Sequence, residues 1–322
     1  MKVLIADAFE RSGLDGLAAI GCEVVYDPDL SGPALAGAIR REGAQALVVR
    51  STRVDAAMLD GSPLGLVVRA GAGLNTIDVD AAQRLGIQVA NCPGLNAIAV
   101  AELTIGLILA LDRRIPEAVA ELRAGRWNKK EFSKARGLYG RTLGVLGFGK
   151  AGQEVARRAQ AFGMKVLVWG RRFLPPEGGS HERVTVPNVT IVESPAQLAE
   201  RSDVLTIHVA LAPETRGLVG REVLGRLRPG GLLVNTARAE VIDQQALAEA
   251  IRDRGLRVAV DVYAAEPPQS QGPFNDPLLE LPGVIGTHHI GGSTEQAQEA
   301  IAQEVVRIIQ HWRSHDHHDP NS

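Results

Sequence analysis

Cysteine is scarce. Cys22 and Cys92 are the only two in 322 residues, too few for a disulfide framework, and both thiols are expected to stay reduced. Charge of one sign is also missing: 35 Lys and Arg against 37 Asp and Glu leave a net charge of -2. That balance gives no general attraction to nucleic acid or to an anionic membrane, so neither is expected as a partner and any anion site must be local. No apolar run is long enough to cross a bilayer. The longest candidate, Leu103 to Leu111, is closed by Asp112-Arg113-Arg114 and reads as a buried helix. The opening Met1-Lys2-Val3-Leu4-Ile5-Ala6 meets Asp7 before an export core can form, so a cytoplasmic protein is expected. No spacing of His and Cys points to a metal site, and the His-bearing tail with His315, His317 and His318 reads as a solvated end.

Glycine, by contrast, is plentiful, with 35 residues, while aromatics make up only 4%. Many tight turns follow from that composition. A hydrophobic fraction of 45% over this length is enough for two domains, each with its own core. Short β-branched runs alternate with helical stretches throughout, the pattern of parallel sheets with helical crossovers. Strands are predicted at Lys2–Ala6, Glu23–Tyr26, Ala46–Arg50, Leu66–Ala70 and Ile87–Ala90. A second series follows at Leu143–Leu146, Val166–Trp169, Val204–His208, Leu232–Asn235, Arg257–Val262 and Val284–Gly286, sufficient for a complete doubly wound domain by itself. A last helix is predicted to open on a capping box at Ser293-Thr294-Glu295-Gln296, with Ala297, Ile301, Val305, Ile308 and Trp312 as its buried stripe.

Only the second series carries a phosphate-binding turn. Gly147-Phe148-Gly149-Lys150-Ala151-Gly152 follows the strand Leu143–Leu146 and leads into a helix whose Val155, Ala159 and Phe162 share a face. The first glycine permits the turn, the second lets backbone approach a diphosphate, and the third allows close packing of helix on strand. Gly147, Gly149, Lys150, Ala151 and Gly152 are therefore candidate dinucleotide-binding residues, with the diphosphate at a helix N-terminus. An Asp or Glu is expected about 20 residues on, at the end of the next strand, to hold the adenosine ribose. Gly170 stands there, followed by Arg171 and Arg172. Without the carboxylate, and with two guanidinium groups, the site is expected to favour NADP(H) over NAD(H). The competing reading makes Gly170 a simple turn and both arginines solvated.

Three later stretches, Asn235 to Asp243, Asp261 to Pro267 and Thr287 to Thr294, occur in this order after the glycine turn. Together they resemble the D-isomer-specific 2-hydroxyacid dehydrogenases over nearly the whole chain, and the ending His289 to Gln298 is most similar to the D-3-phosphoglycerate dehydrogenase branch. The resemblance implies an oxidoreductase that moves a hydride between NAD(P)(H) and a small D-2-hydroxy or 2-oxo acid, with a place in serine biosynthesis. It also implies an Arg–Glu–His constellation at Arg238, Glu266 and His289. The chemistry suits those types: a reduced ketone needs a proton, which histidine can supply, a carboxylate favours the protonated ring, and a guanidinium matches the substrate carboxylate. His288 stands where the family usually has proline, which makes His289 the acid. Formate dehydrogenases in the family resemble a variant with glutamine for the glutamate, and Glu266 argues against formate.

Less specific positions carry over as well. Thr236, Ala237, Val209, Asp261, Gly291 and Gly292 are implied to border the cofactor. The loop Arg69-Ala70-Gly71-Ala72-Gly73-Leu74-Asn75 resembles the family's substrate-carboxylate loop, with Ala72, Gly73, Leu74 and Asn75 offering amides. Arg50, Ser51 and Arg69 are implied to bind the substrate's phosphate or carboxylate, and Lys129 near Trp127 resembles a basic position reaching across a dimer. The implied architecture is α/β, with two doubly wound parallel-sheet domains. A Rossmann cofactor domain at 97–289 is inserted in a flavodoxin-like substrate domain formed by 1–96 and 290–322, with a hinge at the two crossings. A homodimer is expected by analogy. The chain ends before any regulatory domain of the kind many serine-pathway members carry, so feedback by serine is not expected. Two other functions stay open: a glyoxylate or hydroxypyruvate reductase, and a nucleotide-sensing scaffold or corepressor, the latter disfavoured by retention of all three catalytic side chains.

Overall fold

The computed structural model describes residues 1–173, 187–267 and 272–315. Its chain divides into two compact units, Met1–Asn96 with the segment from Gly292 onward, and Ala97–Gly291. Among the described residues no helix is long and apolar enough to cross a membrane.

The smaller unit is built from β1 (Lys2–Ile5), α1 (Arg11–Ala19), β2 (Glu23–Tyr26), α2 (Gly32–Glu42), β3 (Ala46–Val49), α3 (Ala56–Leu59), β4 (Leu66–Arg69), α4 (Val79–Arg84) and β5 (Gln88–Asn91). The strands form one parallel sheet in the order β2-β1-β3-β4-β5, the flavodoxin-like arrangement. Alternation along β1 sends Val3 and Ile5 to one face and Leu4 to the other. On the first face Leu17 of α1 packs with Ile301, Val305 and Ile309 of the C-terminal helix; on the second, Leu35 and Ile39 of α2 pack with Met58 and Leu59 of α3. A sheet covered on both sides explains why β3 reads as an unbroken apolar run, Ala46-Leu47-Val48-Val49.

The larger unit follows as α5 (Ala97–Arg113), α6 (Ile115–Arg123), α7 (Lys129–Phe132), β6 (Thr142–Leu146), α8 (Lys150–Ala161), β7 (Lys165–Trp169), β8 (Thr190–Ile191), α9 (Pro195–Glu200), β9 (Val204–Ile207), α10 (Arg221–Arg226), β10 (Leu232–Asn235), α11 (Gln244–Arg254), β11 (Arg257–Val260) and β12 (Val284–Gly286). Its sheet runs β12-β11-β10-β9-β6-β7-β8, and every pairing is parallel. This is the Rossmann order with one strand added at the β12 edge. Ile105 and Ile108 of α5 and Val155 and Ala159 of α8 cover one face. Leu198, Leu224, Leu247 and Ile251, from α9, α10 and α11, cover the other. The chain then closes the smaller unit with α12 (Glu295–His315).

Three local expectations need correction. The cap of α12 is Thr294, whose Oγ1 accepts from the Ala297 amide at 3.2 Å; Ser293 is drawn away instead, its hydroxyl accepting from Arg50 Nη2 at 2.8 Å. The buried stripe of α12 runs through Ile309, fully enclosed, while Ile308 and Trp312 sit at its margin. Phe162, at the C-terminal cap of α8, is exposed, so the inner face of that helix ends at Ala159. His317 and His318 lie outside the described residues.

One buried ion pair ties the 113–140 excursion to the larger unit. Arg141 Nη1 donates to Asp112 Oδ1 at 2.7 Å, with side-chain exposures of only 8% and 4%, and Asp112 Oδ2 accepts from the Gly137 amide at 3.0 Å. Removing one partner of such a pair leaves a buried, uncompensated charge. Asp112→Ala is therefore expected to lower unfolding free energy by about 3–5 kcal/mol, measured by urea denaturation. A loss under about 1 kcal/mol would show that water solvates Arg141 instead.

Candidate active site

In both units the informative loops leave the carboxyl ends of the strands, and the cofactor turn lies where strand order reverses. In the larger unit the reversal lies between β6 and β9. Gly147 leaves β6 with φ +94°, a left-handed value that favours glycine. A Cβ there would lie 2.6 Å from the His208 backbone, and a Cβ on Gly152 would lie 2.2 Å from the Gly147 carbonyl oxygen. Packing therefore dictates both glycines. Nothing stands within 4 Å of a Cβ on Gly149, the N-cap of α8, so the space over the exposed helix start is open. An open cradle of backbone at the N-terminus of a 12-residue helix fits a dinucleotide diphosphate. Val209 follows His208 and packs beside Gly147. The Nε2 atom of His208 is shut from solvent with no hydrogen-bond partner among the described residues, and burial pushes the imidazole down to about 4, which keeps it neutral.

Gly170 is different. A Cβ there would meet Phe148 and Phe173 only at ordinary contact distances, 3.6 Å or more, so the missing acid is not dictated by packing. Arg172 lies over the rings of Phe148 and Phe173 at 5.2 and 4.7 Å. Arg171 is ion-paired with Glu214, an acid that inspection of the sequence did not single out and that occupies part of the positive charge.

The Arg–Glu–His residues come from three separate strand ends. Beyond β10, Asn235 shapes the turn: its Oδ1 accepts from the Ala237 amide at 3.0 Å and its Nδ2 donates to the Arg238 carbonyl at 2.9 Å. Thr236 is buried and exchanges a 3.1 Å hydroxyl hydrogen bond with Thr104 of α5, 132 residues away. Beyond β11, the buried Asp261 carboxylate accepts from Thr287 Oγ1 at 2.6 Å, the Ile290 amide at 2.9 Å and the Gly291 amide at 2.8 Å. Those three bonds clamp the ends of a loop in which His289 takes a left-handed backbone, φ +53°, a costly conformation for a residue with a Cβ. Its Nδ1 meets Glu266 Oε2 at 2.6 Å, while Glu266 Oε1 accepts from the Tyr263 amide at 2.9 Å. Burial raises the Glu266 carboxyl, but the bonds from His289 and the Tyr263 amide, with the charges of His289 and Arg238, outweigh it and hold the group below the usual carboxylate range. Tyr263 donates to the Thr287 carbonyl at 2.9 Å, and burial with the nearby acids pushes its phenol up to about 12. His288 is exposed.

In the smaller unit Asp7, just beyond β1, organises the other loop. Its Oδ2 accepts from the amides of Arg50, Ser51 and Thr52 at 2.7, 3.1 and 3.0 Å. The Arg50 guanidinium is held by Ser293 and has no carboxylate partner among the described residues. Arg69 lies across the backbone of Gly71, where a Cβ would fall 1.7 Å from its Nη1, which explains that glycine. Asn91 Nδ2 donates to the Ala72 carbonyl at 2.6 Å. The amides of Ala72, Gly73 and Leu74 have no acceptor among the described residues, and Asn75 ends the loop exposed. Gly291 contacts Asp261, and Gly292 packs on Asn96. Asp7 escaped the sequence reading; an acid directly after the first strand was the available signal.

Residues 105–291 match the family described as D-isomer specific 2-hydroxyacid dehydrogenase, NAD binding domain. The chain is 39% identical over 316 residues to the D-3-phosphoglycerate dehydrogenase of Methanocaldococcus jannaschii, covering 96% of this chain but only 57% of that protein. It thus spans little more than half the length of that relative. It is 41% identical over 266 residues to the hydroxypyruvate reductase of Thermotoga maritima, covering 82% of this chain and 83% of that one. A solved structure from Thermus thermophilus superposes with a TM-score of 0.82 at 34% identity, over 95% and 94% of the two chains.

The glycine turn gives a paired expectation. Gly149→Ala should leave thermal unfolding unchanged and weaken NADH binding about tenfold or more, because its methyl occupies the space the diphosphate approaches. Gly152→Ala should lower both. Tight cofactor binding by both variants, followed by fluorescence titration, would show that the diphosphate sits elsewhere.

Proposed function

Because the chain belongs to the D-isomer-specific 2-hydroxyacid dehydrogenase family, we propose that it interconverts a small 2-oxo acid and its D-2-hydroxy acid, with 3-phosphohydroxypyruvate and D-3-phosphoglycerate as the pair. The observation that carries this reading is the 2.6 Å contact of His289 Nδ1 with Glu266. An ionised carboxylate only accepts, so Nδ1 carries a proton and Nε2 is the atom left for the substrate. When bound, the nicotinamide supplies or takes up the hydride. In reduction, His289 Nε2–H gives its proton to the carbonyl oxygen as that oxygen becomes a hydroxyl; in oxidation the neutral Nε2 removes it. Glu266 keeps the ring oriented and balances its charge. Arg238 holds the substrate carboxylate with its planar fork.

Arg50, Arg69 and the amides of Ala72, Gly73, Leu74 and Asn75 take the substrate's anionic groups, with Ser51 beside them. Arg50 supports a phosphorylated substrate, since no acid among the described residues pairs with it. Thr236, Ala237, Val209, Asp261, Gly291 and Gly292 border the cofactor. NADP(H) is favoured over NAD(H), because Gly170 leaves no carboxylate to repel a 2′-phosphate and Arg172 stands beside it. The second reading is a hydroxypyruvate or glyoxylate reductase, favoured by the extent of the Thermotoga match. A homodimer accounts for the apolar side chains left exposed on α6 and after it, Ile115, Val119, Leu122, Trp127 and Tyr139.

Initial rates with 3-phosphohydroxypyruvate, hydroxypyruvate and glyoxylate, each against NADH and NADPH, test the substrate. We expect kcat/KM for the phosphorylated acid to lead by at least about tenfold, roughly one charge-assisted contact; the reverse order would establish the second reading. His289→Asn should lower kcat by about 10²–10⁴, while His288→Asn stays within a few fold. Loss of turnover only in His288→Asn would overturn the assignment.

Gly170→Asp tests cofactor choice. Its carboxylate should raise the KM for NADPH and lower that for NADH. An enzyme already preferring NADH before the change would refute the preference.

A further inference from the structure

The larger unit holds a second cationic centre, at the opposite end of its sheet from the residues above. β10 begins at Leu232 and β11 at Arg257, and both line a cavity of about 170 Å³ with Gly230 and the chain that follows α5. Arg238 and Asp261 stand beyond the far ends of the same strands. Four residues of strand span about 13 Å, so the two places are distinct.

Six cationic side chains line this cavity, Arg113, Arg114, Lys134, Arg136, Arg141 and Arg257, against two acids, Asp112 and Glu131. The acids are shared. Glu131 serves both Arg114 at 2.6 Å and Lys134 at 2.5 Å, and Glu117, outside the cavity lining, reaches Arg114 only at 3.8 Å. Asp112 serves Arg141, and Asp203, which reaches Arg136 at 3.5 Å, is already engaged by Arg228 at 2.6 Å. Arg113, which is exposed, and Arg257 have no carboxylate partner among the described residues; Arg257 donates to the Leu111 carbonyl. The negative end of the α5 dipole is equivalent to about half a charge and offsets only a fraction of the excess.

Two further observations separate this cluster from a surface ion network. Arg114 holds a left-handed backbone, φ +53°, a strain that marks sites where position matters more than comfort. Arg141 is 8% exposed, and its Nε is buried without a hydrogen-bond partner among the described residues. At Arg141, positive charge is thus fixed away from bulk water, where counter-charge is worth most.

We propose that this cavity binds a small oxyanion carrying two or more negative charges, inorganic phosphate or a small polycarboxylate. The volume is that of five or six waters at about 30 Å³ each, enough for one such ion and too small for a nucleotide. Guanidinium forks match phosphate and carboxylate oxygens in pairs.

The test uses the full chain saturated with reduced cofactor, so that the diphosphate turn is filled. Phosphate, citrate and chloride are titrated at matched ionic strength by calorimetry, and whichever of the first two binds identifies the source of the oxyanion. We expect saturable binding of phosphate or citrate that chloride does not reproduce. Arg113→Gln should weaken it about tenfold, the worth of one charge-assisted contact. Arg257→Gln should abolish it, and Arg238→Gln should leave it intact. If Arg257→Gln does not fold, Arg113→Glu takes its place, since that side chain is exposed, and should also abolish binding. Binding no stronger than chloride, equal binding in the Arg113 variants and the unaltered chain, or loss in Arg238→Gln alone would each overturn the proposal.

Discussion

The short contact between Glu266 Oε2 and His289 Nδ1 depends on a clamp that neither residue provides. Asp261, buried at the end of β11, spends both carboxylate oxygens on the loop that carries His289. Those bonds, with the Tyr263 hydroxyl on the Thr287 carbonyl, hold a side-chain-bearing residue in a left-handed backbone and so fix the direction of the imidazole. The clamp in turn needs β11 and β12 side by side in the sheet, so the geometry of one ring traces back to the packing of a whole parallel sheet.

The same logic runs through both units. Each sheet reverses its strand order once, and at each reversal an acidic or glycine-rich turn organises the neighbouring backbone. In the smaller unit Asp7 gathers three successive amides and thereby sets the course of the Arg50 loop. In the larger unit Gly147 and Gly152 let β6 and α8 approach closely enough to leave the helix start bare. Charge is handled consistently: the buried Asp112–Arg141 pair is matched, His208 stays neutral, and Glu266 stays ionised because its partners outweigh its burial.

Much of this was legible in residue order. Continuous apolar runs such as Ala46 to Val49 announce strands covered on both faces, and strand, glycine turn and helix arrive in sequence at 143–161. Glu266 and His289 were nameable because their chemistry is written in their types. What stayed hidden was whatever depends on contacts between distant segments. Thr104 meets Thr236 across 132 residues, Asp7 reaches Arg50 across 43, and Glu214 finds Arg171 only once two strand-end loops converge. The cap of α12 slipped by one residue for the same reason: Arg50 captures Ser293, leaving the capping role to Thr294. The two-residue β8 is too short to leave a pattern at all.

Proton placement on His289 tests the central interaction most directly. In nitrogen-15-labelled protein, the imidazole should show a far-downfield proton bonded to Nδ1, held by Glu266, and that signal should vanish in Glu266→Gln. A ring protonated only at Nε2, or a resonance unchanged by the substitution, would contradict the account.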